Sequence, residues 1–320
     1  MNTLSVVVDA ISRQGEHNLA LTLVSSNGSP LPAFAAGAHI DVHLPNGLVR
    51  QYSLAGNPAT ADEYLLCIKK EAHSRGGSRF IHDSLRVGQQ LDISPPRNLF
   101  ALEDASRYLL LAGGIGITPI LAMAETLDRQ GKTFALYYYV KNRQQAAFSK
   151  RLQRGFQHGQ VMLCCDDEDR SAAQYLPPEL TAVADSDGLY MCGPEGFMNF
   201  IRSQALIAGW REQQIHDEAF SAPQTATAAD DETFTVQLAS SGAEFVVSAD
   251  KTIAQVLQEH QVAIPLSCEM GICGACLTRV VEGQPDHRDS VQSDSEKHSA
   301  EQQIALCCSR SRSAKLVLDL

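Results

Sequence analysis

Apolar and polar positions change rhythm three times along the 320 residues. Through the first hundred, short runs such as LSVVVDAIS, LALTLVSS, HIDVHLP, RQYSLAG, EYLLCIKK and QLDISPP are separated by Gly, Pro and Asn turns. Many of them alternate apolar with polar residues. A period of two buries one face of a strand, and several such strands predict a closed or nearly closed antiparallel barrel. One helical stretch, SRFIHDSL, interrupts them. From about residue 103 the strands become continuously apolar: RYLLLAGG, FALYYYV, QVMLCC and GLYMCGP. Such strands need cover on both faces. The helical segments ITPILAMAETLDRQG, AAFSKRLQRGF and EGFMNFIRSQALIAGW alternate with them, which predicts an open, parallel, doubly wound α/β sheet. Residues 221–232, SAPQTATAADDE, have no apolar period and read as a linker. Beyond them, FTVQLASSGAEFVVSA reads as a hairpin, TIAQVLQEHQ as a short helix, and KLVLDL as a last strand. The expected division is 1–102, 103–220, a linker at 221–232, and 233–320.

Composition narrows the function without naming it. The formal net charge of −11 argues against nucleic acid or an anionic membrane as a partner. It fits both docking to a basic redox partner and a merely solvated exterior. The start, MNTLSVVVDAISRQ, lacks the basic region and apolar core of a secretory signal, and no apolar run reaches membrane-helix length. Nine cysteines without such a signal point to a reducing compartment and metal chemistry, so the expected location is cytoplasmic.

The sharpest chemistry lies in PLSCEMGICGACL, where Cys268, Cys273 and Cys276 form C-x4-C-x2-C. Followed by a distant cysteine, this is the spacing of a plant-type [2Fe–2S] cluster. Gly271 and Gly274 would let the backbone curl around inorganic sulfide. A structural zinc site and free core cysteines are the alternatives, although only Cys273 and Cys276 have zinc-like C-x2-C spacing. Near the C-terminus, Cys307 and Cys308 are adjacent. Successive side chains on an extended chain face opposite ways, so only one of them can ligate.

Two glycine turns follow strands of the middle segment: Gly113-Gly114-Ile115-Gly116-Ile117-Thr118-Pro119 and Tyr190-Met191-Cys192-Gly193-Pro194-Glu195. Carboxyl ends of parallel strands are where such sheets bind ligands, and a helix N-terminus offers unpaired N–H groups to phosphate. An ordinary strand-to-helix turn is the plainer reading of the first, and an inert buried thiol that of Cys192. In the first segment, Arg50, Tyr52 and Ser53 of RQYSL could supply a flavin with a cation, a flat partner and a donor. Ser74-Arg75-Gly76-Gly77-Ser78 opens a helix as a second phosphate cradle.

Taken in order, R-x-Y-S-L, the Arg-Gly-Gly-Ser turn, G-G-I-G-I-T-P, C-G-P and C-x4-C-x2-C…C resemble the phthalate dioxygenase reductase family. That family includes reductase components of vanillate O-demethylase and carnitine monooxygenase. Asp286-His287-Arg288-Asp289 and the tail from Cys307-Cys308-Ser309-Arg310 to Leu320 also resemble it. The resemblance implies a multidomain α/β and α+β chain: an antiparallel FMN-binding β-barrel, a doubly wound NAD-binding α/β domain and a C-terminal β-grasp ferredoxin domain. It places Arg50, Gly76, Gly77 and Ser78 at the FMN phosphate, and Tyr52 and Ser53 at the flavin. Thr118 is expected near flavin and nicotinamide, with Gly113, Gly114 and Cys192 flanking the dinucleotide. Phe220, in His216-Asp217-Glu218-Ala219-Phe220, is expected over the flavin ring, although Asp217 stands where the family has an aromatic residue. Cys307 becomes the fourth cluster ligand. The 30 residues between Cys276 and Cys307 are one more than the family's usual spacing, and a loop can absorb the extra one.

FMN is expected over FAD because the ferredoxin segment is C-terminal. Asp166, just after QVMLCC, would disfavour the extra phosphate of NADPH, so NADH is expected. The implied protein is a monomeric NADH-dependent oxidoreductase passing electrons through FMN and [2Fe–2S] to a Rieske-type oxygenase. A stand-alone NADH:acceptor (quinone) reductase and a redox-sensing protein of low turnover are the competing readings.

Overall fold

The computed structural model describes residues 3–60, 62–72, 74–220 and 232–320. Apart from Glu232, the expected linker lies outside the described residues. The chain forms two compact units, Met1–Phe220 and Ser221–Leu320.

The first unit opens with β1 (Leu4–Arg13), β2 (Asn18–Ser25), β3 (Ala38–His43), β4 (Val49–Ser53) and β5 (Glu63–Lys69). Helix α1 (Gly77–Ser84), β6 (Gln90–Ile93) and the short β7 (Arg97–Asn98) follow. The strands pair antiparallel in the order β4-β3-β6-β1-β2-β5. The Ala55 amide donates to the Leu65 carbonyl at 2.8 Å, which joins the two ends of this path and closes the barrel. Alternation does what the pattern requires: Val6 and Val8, Leu21 and Leu23, Ile40 and Val42 all point into one apolar core.

The unit continues with β8 (Arg107–Gly113), α2 (Ile117–Arg129), β9 (Phe134–Val140), α3 (Ser149–Gln153) and β10 (Gly159–Cys165). It ends with α4 (Pro178–Thr181), β11 (Asp187–Cys192), α5 (Glu195–Ala208) and β12 (Ile215–Glu218). All five strands are parallel, in the order β10-β9-β8-β11-β12. Along β8, Leu110 and Ala112 pack toward α2, while Leu109 and Leu111 pack toward α5. Two-sided burial is why these strands read as unbroken apolar runs. The α2 face also carries Ala20, Ala36, Ala55 and Phe100 of the barrel segment.

Two details depart from the sequence pattern. The stretch AAFSKRLQRGF yields only the five-residue α3, because Phe148 adopts a left-handed φ of 55° that a helix cannot pass through. Strand β12 was not anticipated, since IHDE offers a single apolar side chain.

The second unit contains β13 (Phe234–Leu238), β14 (Glu244–Val247), α6 (Ile253–Glu259), β15 (Leu277–Glu282) and β16 (Pro285–Asp286). Then come α7 (Asp294–Lys297), β17 (Gln303–Ala305), β18 (Arg310–Ser311) and β19 (Lys315–Leu318). The main sheet runs β14-β13-β19-β15-β17, with β13 and β19 parallel and the other pairs antiparallel. Thr252 and Gln255 cap α6 reciprocally, each side chain accepting from the other's backbone N–H. Its Ile253, Val256 and Leu257 fill the core beneath the sheet, and Cys276 and Cys307 belong to that same core. Among the described residues no helix is long and apolar enough to cross a membrane.

Candidate functional site

The cysteine loop lies between α6 and β15, and Cys307 follows β17. Hydrogen bonding of β15 to β17, Leu277 opposite Ala305, is what brings the distant cysteine back to the loop. Cys268, Cys273, Cys276 and Cys307 are all buried. They form two pairs: Cys268 interacts with Cys273, and Cys276 with Cys307. Among the described residues, the one group of three metal-type donor atoms within 4.8 Å of one another is Cys165, Asp167 and Glu168. The four thiols therefore are not gathered around a single point, as one zinc ion would require. Two pairs suit two irons, each taking two thiolates.

The thiols resist ionising on their own. Cys268 is held up first by its hydrogen bond to Cys273 and then by burial, and Cys276 likewise by Cys307 and burial. The bond to Cys276 pulls Cys307 down, but Cys308 and burial outweigh it and push it up to about 12. Iron supplies the positive charge that turns such a set into thiolates. Backbone N–H groups already point at sulfur, from Met270 to Cys268 at 3.3 Å and from Ala275 to Cys273 at 3.5 Å. Gly271 and Gly274 have φ of +74° and +70°. At Gly271 a Cβ would stand 2.4 Å from the Cys308 sulfur, so that position admits only glycine. Donor set and cradle fit a [2Fe–2S] cluster. The half-buried Cys308 packs against Gly271 and hydrogen-bonds the Cys307 thiol beside it.

In the first unit, Arg50 and the Gly76–Ser78 turn come together. The Arg50 guanidinium donates to the Arg75 carbonyl at 3.1 Å, and a Cβ on Gly77 would stand 2.6 Å from the Arg50 side chain. A cation thus lies beside the N-terminus of α1, an arrangement suited to phosphate. Ser78 Oγ is spent within the turn, donating to Ser74 Oγ at 3.0 Å and accepting from the Glu71 amide at 3.2 Å. On β4, Arg50 and Tyr52 share a face and Ser53 takes the other.

The two glycine turns pack on one another. A Cβ on Gly113 would lie 3.0 Å from Pro194, one on Gly193 3.0 Å from the Gly113 Cα, and one on Gly116 2.1 Å from the Cys192 carbonyl oxygen. Gly114, by contrast, has φ +55° and open space where a Cβ would go. Thr118 is buried in the first turn of α2 and donates to the Ile115 carbonyl at 3.0 Å. Asp166 is exposed just beyond the carboxyl end of β10. Phe220 packs at the edge of the core shared by α2 and the barrel segment. Asp217 forms an ion pair with Arg202, which accounts for a charged residue where the family has an aromatic one.

A residue the sequence reading passed over stands at the centre of this region. Glu218, the last residue of β12, lies in register with the wholly buried Cys192 of β11. Ser53 Oγ donates to one carboxylate oxygen at 3.3 Å, and His39 Nδ1 approaches the other at 3.9 Å. Burial raises Glu218 to about 8, against a small lowering by Ser53. Burial also lowers His39 to about 4, helped by the charge of Arg97, whose guanidinium binds Asp41 at 2.7–2.8 Å. At neutral pH a protonated acid therefore faces a neutral imidazole. Burial likewise holds the Cys192 thiol well above its ordinary range.

Comparison with known proteins agrees with this geometry. A family described as the 2Fe-2S iron-sulfur cluster binding domain matches residues 236–312. The chain is 43% identical over 321 residues to a vanillate O-demethylase oxidoreductase of Acinetobacter baylyi, covering all of both. It is 39% identical to a tetrachlorobenzoquinone reductase of Sphingobium chlorophenolicum, covering 100% of this chain and 99% of that one. Among solved structures it matches phthalate dioxygenase reductase, described as a modular structure for electron transfer from pyridine nucleotides to [2Fe–2S]. That match has a TM-score of 0.76 at 34% identity, over 100% of this chain and 98% of the other. Alike along their whole length in both sequence and fold, these proteins make the chain a member of the phthalate dioxygenase reductase family of oxidoreductases.

Proposed function

We propose that this protein is the NADH-dependent reductase component of an oxygenase system, carrying electrons from NADH through FMN and a [2Fe–2S] cluster to a Rieske-type terminal oxygenase. The observation that carries the reading is the set of four buried thiols in two pairs, in a chain that also holds a barrel and a doubly wound sheet. On this reading the barrel is residues 1–102, the dinucleotide-binding sheet 103–220 and the ferredoxin domain 233–320. The protein works as a cytoplasmic monomer. Bound FMN would accept two electrons from NADH and release them singly, which is the cofactor's own chemistry.

The residues supply place and charge. Arg50 and the Gly76–Ser78 turn hold the FMN phosphate, and Tyr52 and Ser53 line the flavin. Gly114 and the α2 N-terminus receive the dinucleotide, with Gly113, Thr118 and Cys192 shaping the nicotinamide pocket. Phe220 covers the flavin. Asp166 at the end of β10 repels a 2′-phosphate and favours NADH. Glu218 keeps its proton among buried groups beside Ser53, so no net negative charge opposes electrons arriving there. Cys268, Cys273, Cys276 and Cys307 hold the cluster.

The test is to mix the purified protein with NADH and candidate Rieske oxygenases, such as those acting on aromatic methyl ethers, carboxylates or quaternary amines, and follow product. Turnover with one class assigns the partner. A second reading, a stand-alone quinone reductase, is supported by the 39% likeness to a tetrachlorobenzoquinone reductase. Rapid quinone reduction with no oxygenase supported would favour it.

A further inference from the structure

In the second unit the segment Asp286-His287-Arg288-Asp289 holds one carboxylate with no exposed side-chain surface, Asp289. Four hydrogen bonds end on it. The Gln292 amide reaches Oδ2 at 3.1 Å, Gln292 Nε2 reaches the two oxygens at 3.2 and 3.3 Å, and Ser309 Oγ reaches Oδ1 at 3.4 Å. Donors aimed at both oxygens suit a negatively charged carboxylate, since each is worth more against an ion than against a neutral acid.

The partners decide what this charge does. Ser309 is two residues beyond Cys307, so the Ser309–Asp289 bond grips the stretch that carries the fourth thiol. On the other side, the amides of Ser290 and Val291 both donate to the Gly271 carbonyl, at 3.1 and 3.3 Å. The Asp289 Cα is so close to Gly271 that a Cβ there would stand 3.1 Å away. Asp289 and the two amides that follow it therefore tie the three-cysteine loop to the chain bearing Cys307. The His287 imidazole adds no balancing cation: its Nδ1 is 3.7 Å from Asp289 Oδ1, and burial lowers its affinity for a proton. Lys297 does bring a cation to this residue, its Nζ donating to the Asp289 backbone carbonyl at 2.7 Å.

We propose that Asp289 is a positioning residue for the iron–sulfur cluster: it pins the Cys307 segment to the Cys268–Cys276 loop, and its buried charge lowers the cluster's reduction potential. The proposal rests on those four cysteines being the ligands. Reduction adds a negative charge to the cluster, and a nearby anion in a poorly screened interior opposes it. Polar groups just outside a metal's ligands commonly tune it in this way.

The test is a redox titration of the full-length protein followed by the EPR signal of the reduced cluster. Asp289→Asn keeps the shape, removes the charge, and is expected to move the midpoint to a more positive value with iron content retained. An unchanged midpoint in a loaded Asn variant overturns the proposal. Should that variant fail to load, Ser309→Ala leaves the charge and removes one donor, and its midpoint is expected to move the opposite way; no movement there overturns it too. A native protein that shows no cluster signal would refute the ligand assignment itself, a different outcome from a signal whose midpoint ignores Asp289.

Discussion

Each unit of this chain buries a carboxylate beside a histidine, and the two are treated in opposite ways. Glu218 receives the Ser53 hydroxyl at 3.3 Å and stands 3.9 Å from His39, so burial wins and the acid is raised to about 8. Asp289 receives four hydrogen bonds, from Gln292 and Ser309. The lesson is that donor count, more than depth, decides what a buried acid does. With few donors it keeps its proton and spares the site a charge. With many, as at Asp289, it becomes a tie-point between separate stretches of chain.

The largest effect is expected where the Asp289 segment docks. Gly271→Ala places a methyl group 2.4 Å from the Cys308 sulfur and 3.1 Å from the Asp289 Cα, at a φ of +74°. The left-handed backbone alone costs about 1–2 kcal/mol. Cluster content, read as iron per chain and visible absorbance, should fall steeply, while NADH still bleaches bound flavin. Full iron content in this variant would mean that the cradle is looser than its contacts imply.

A smaller effect probes the other acid. Folding raises Glu218 from 4.5 to about 8, so the folded state binds its proton more tightly than the unfolded state does. The stability this contributes is complete below pH 4.5 and is lost as pH rises through about 8. Glu218→Gln cannot ionise and should flatten that part of the pH dependence, by roughly 2–4 kcal/mol across the window. Trp210 is the chain's single tryptophan and lies in the first unit, so its fluorescence during denaturant unfolding at pH 5 and pH 9 reports the unit directly. Equal slopes in native and variant would show that Glu218 is solvated and ordinary.

Much of the architecture was legible because its patterns are local. The alternating barrel strands, the two-sided strands β8, β9 and β11 and the helices α2 and α5 all follow from periodicity. The C-x4-C-x2-C loop offered its candidate ligands through spacing alone, family likeness put Cys307 before Cys308, and the fold brings those four thiols together. What stayed hidden depends on contacts between distant segments. Glu218 sits in a four-residue strand with one apolar side chain, and its meaning appears only when β12 lies beside Cys192 and next to Ser53 and His39. Asp289 stood out in the sequence only through family likeness in Asp286-His287-Arg288-Asp289, and that Gln292 and Ser309 close over it appears only in the fold. Gly113 carries a second demand that its glycine turn alone did not reveal: its lack of a side chain also serves the packing of the two turns.

The central claim is an electron path that enters through the first unit and leaves through the cysteine-bound cluster. Cys273→Ser tests it most directly, with flavin bleaching by NADH and NADH-driven cytochrome c reduction measured on the same preparation. The account predicts that bleaching continues at the native rate while cytochrome c reduction collapses. Native cytochrome c reduction in the variant would contradict it.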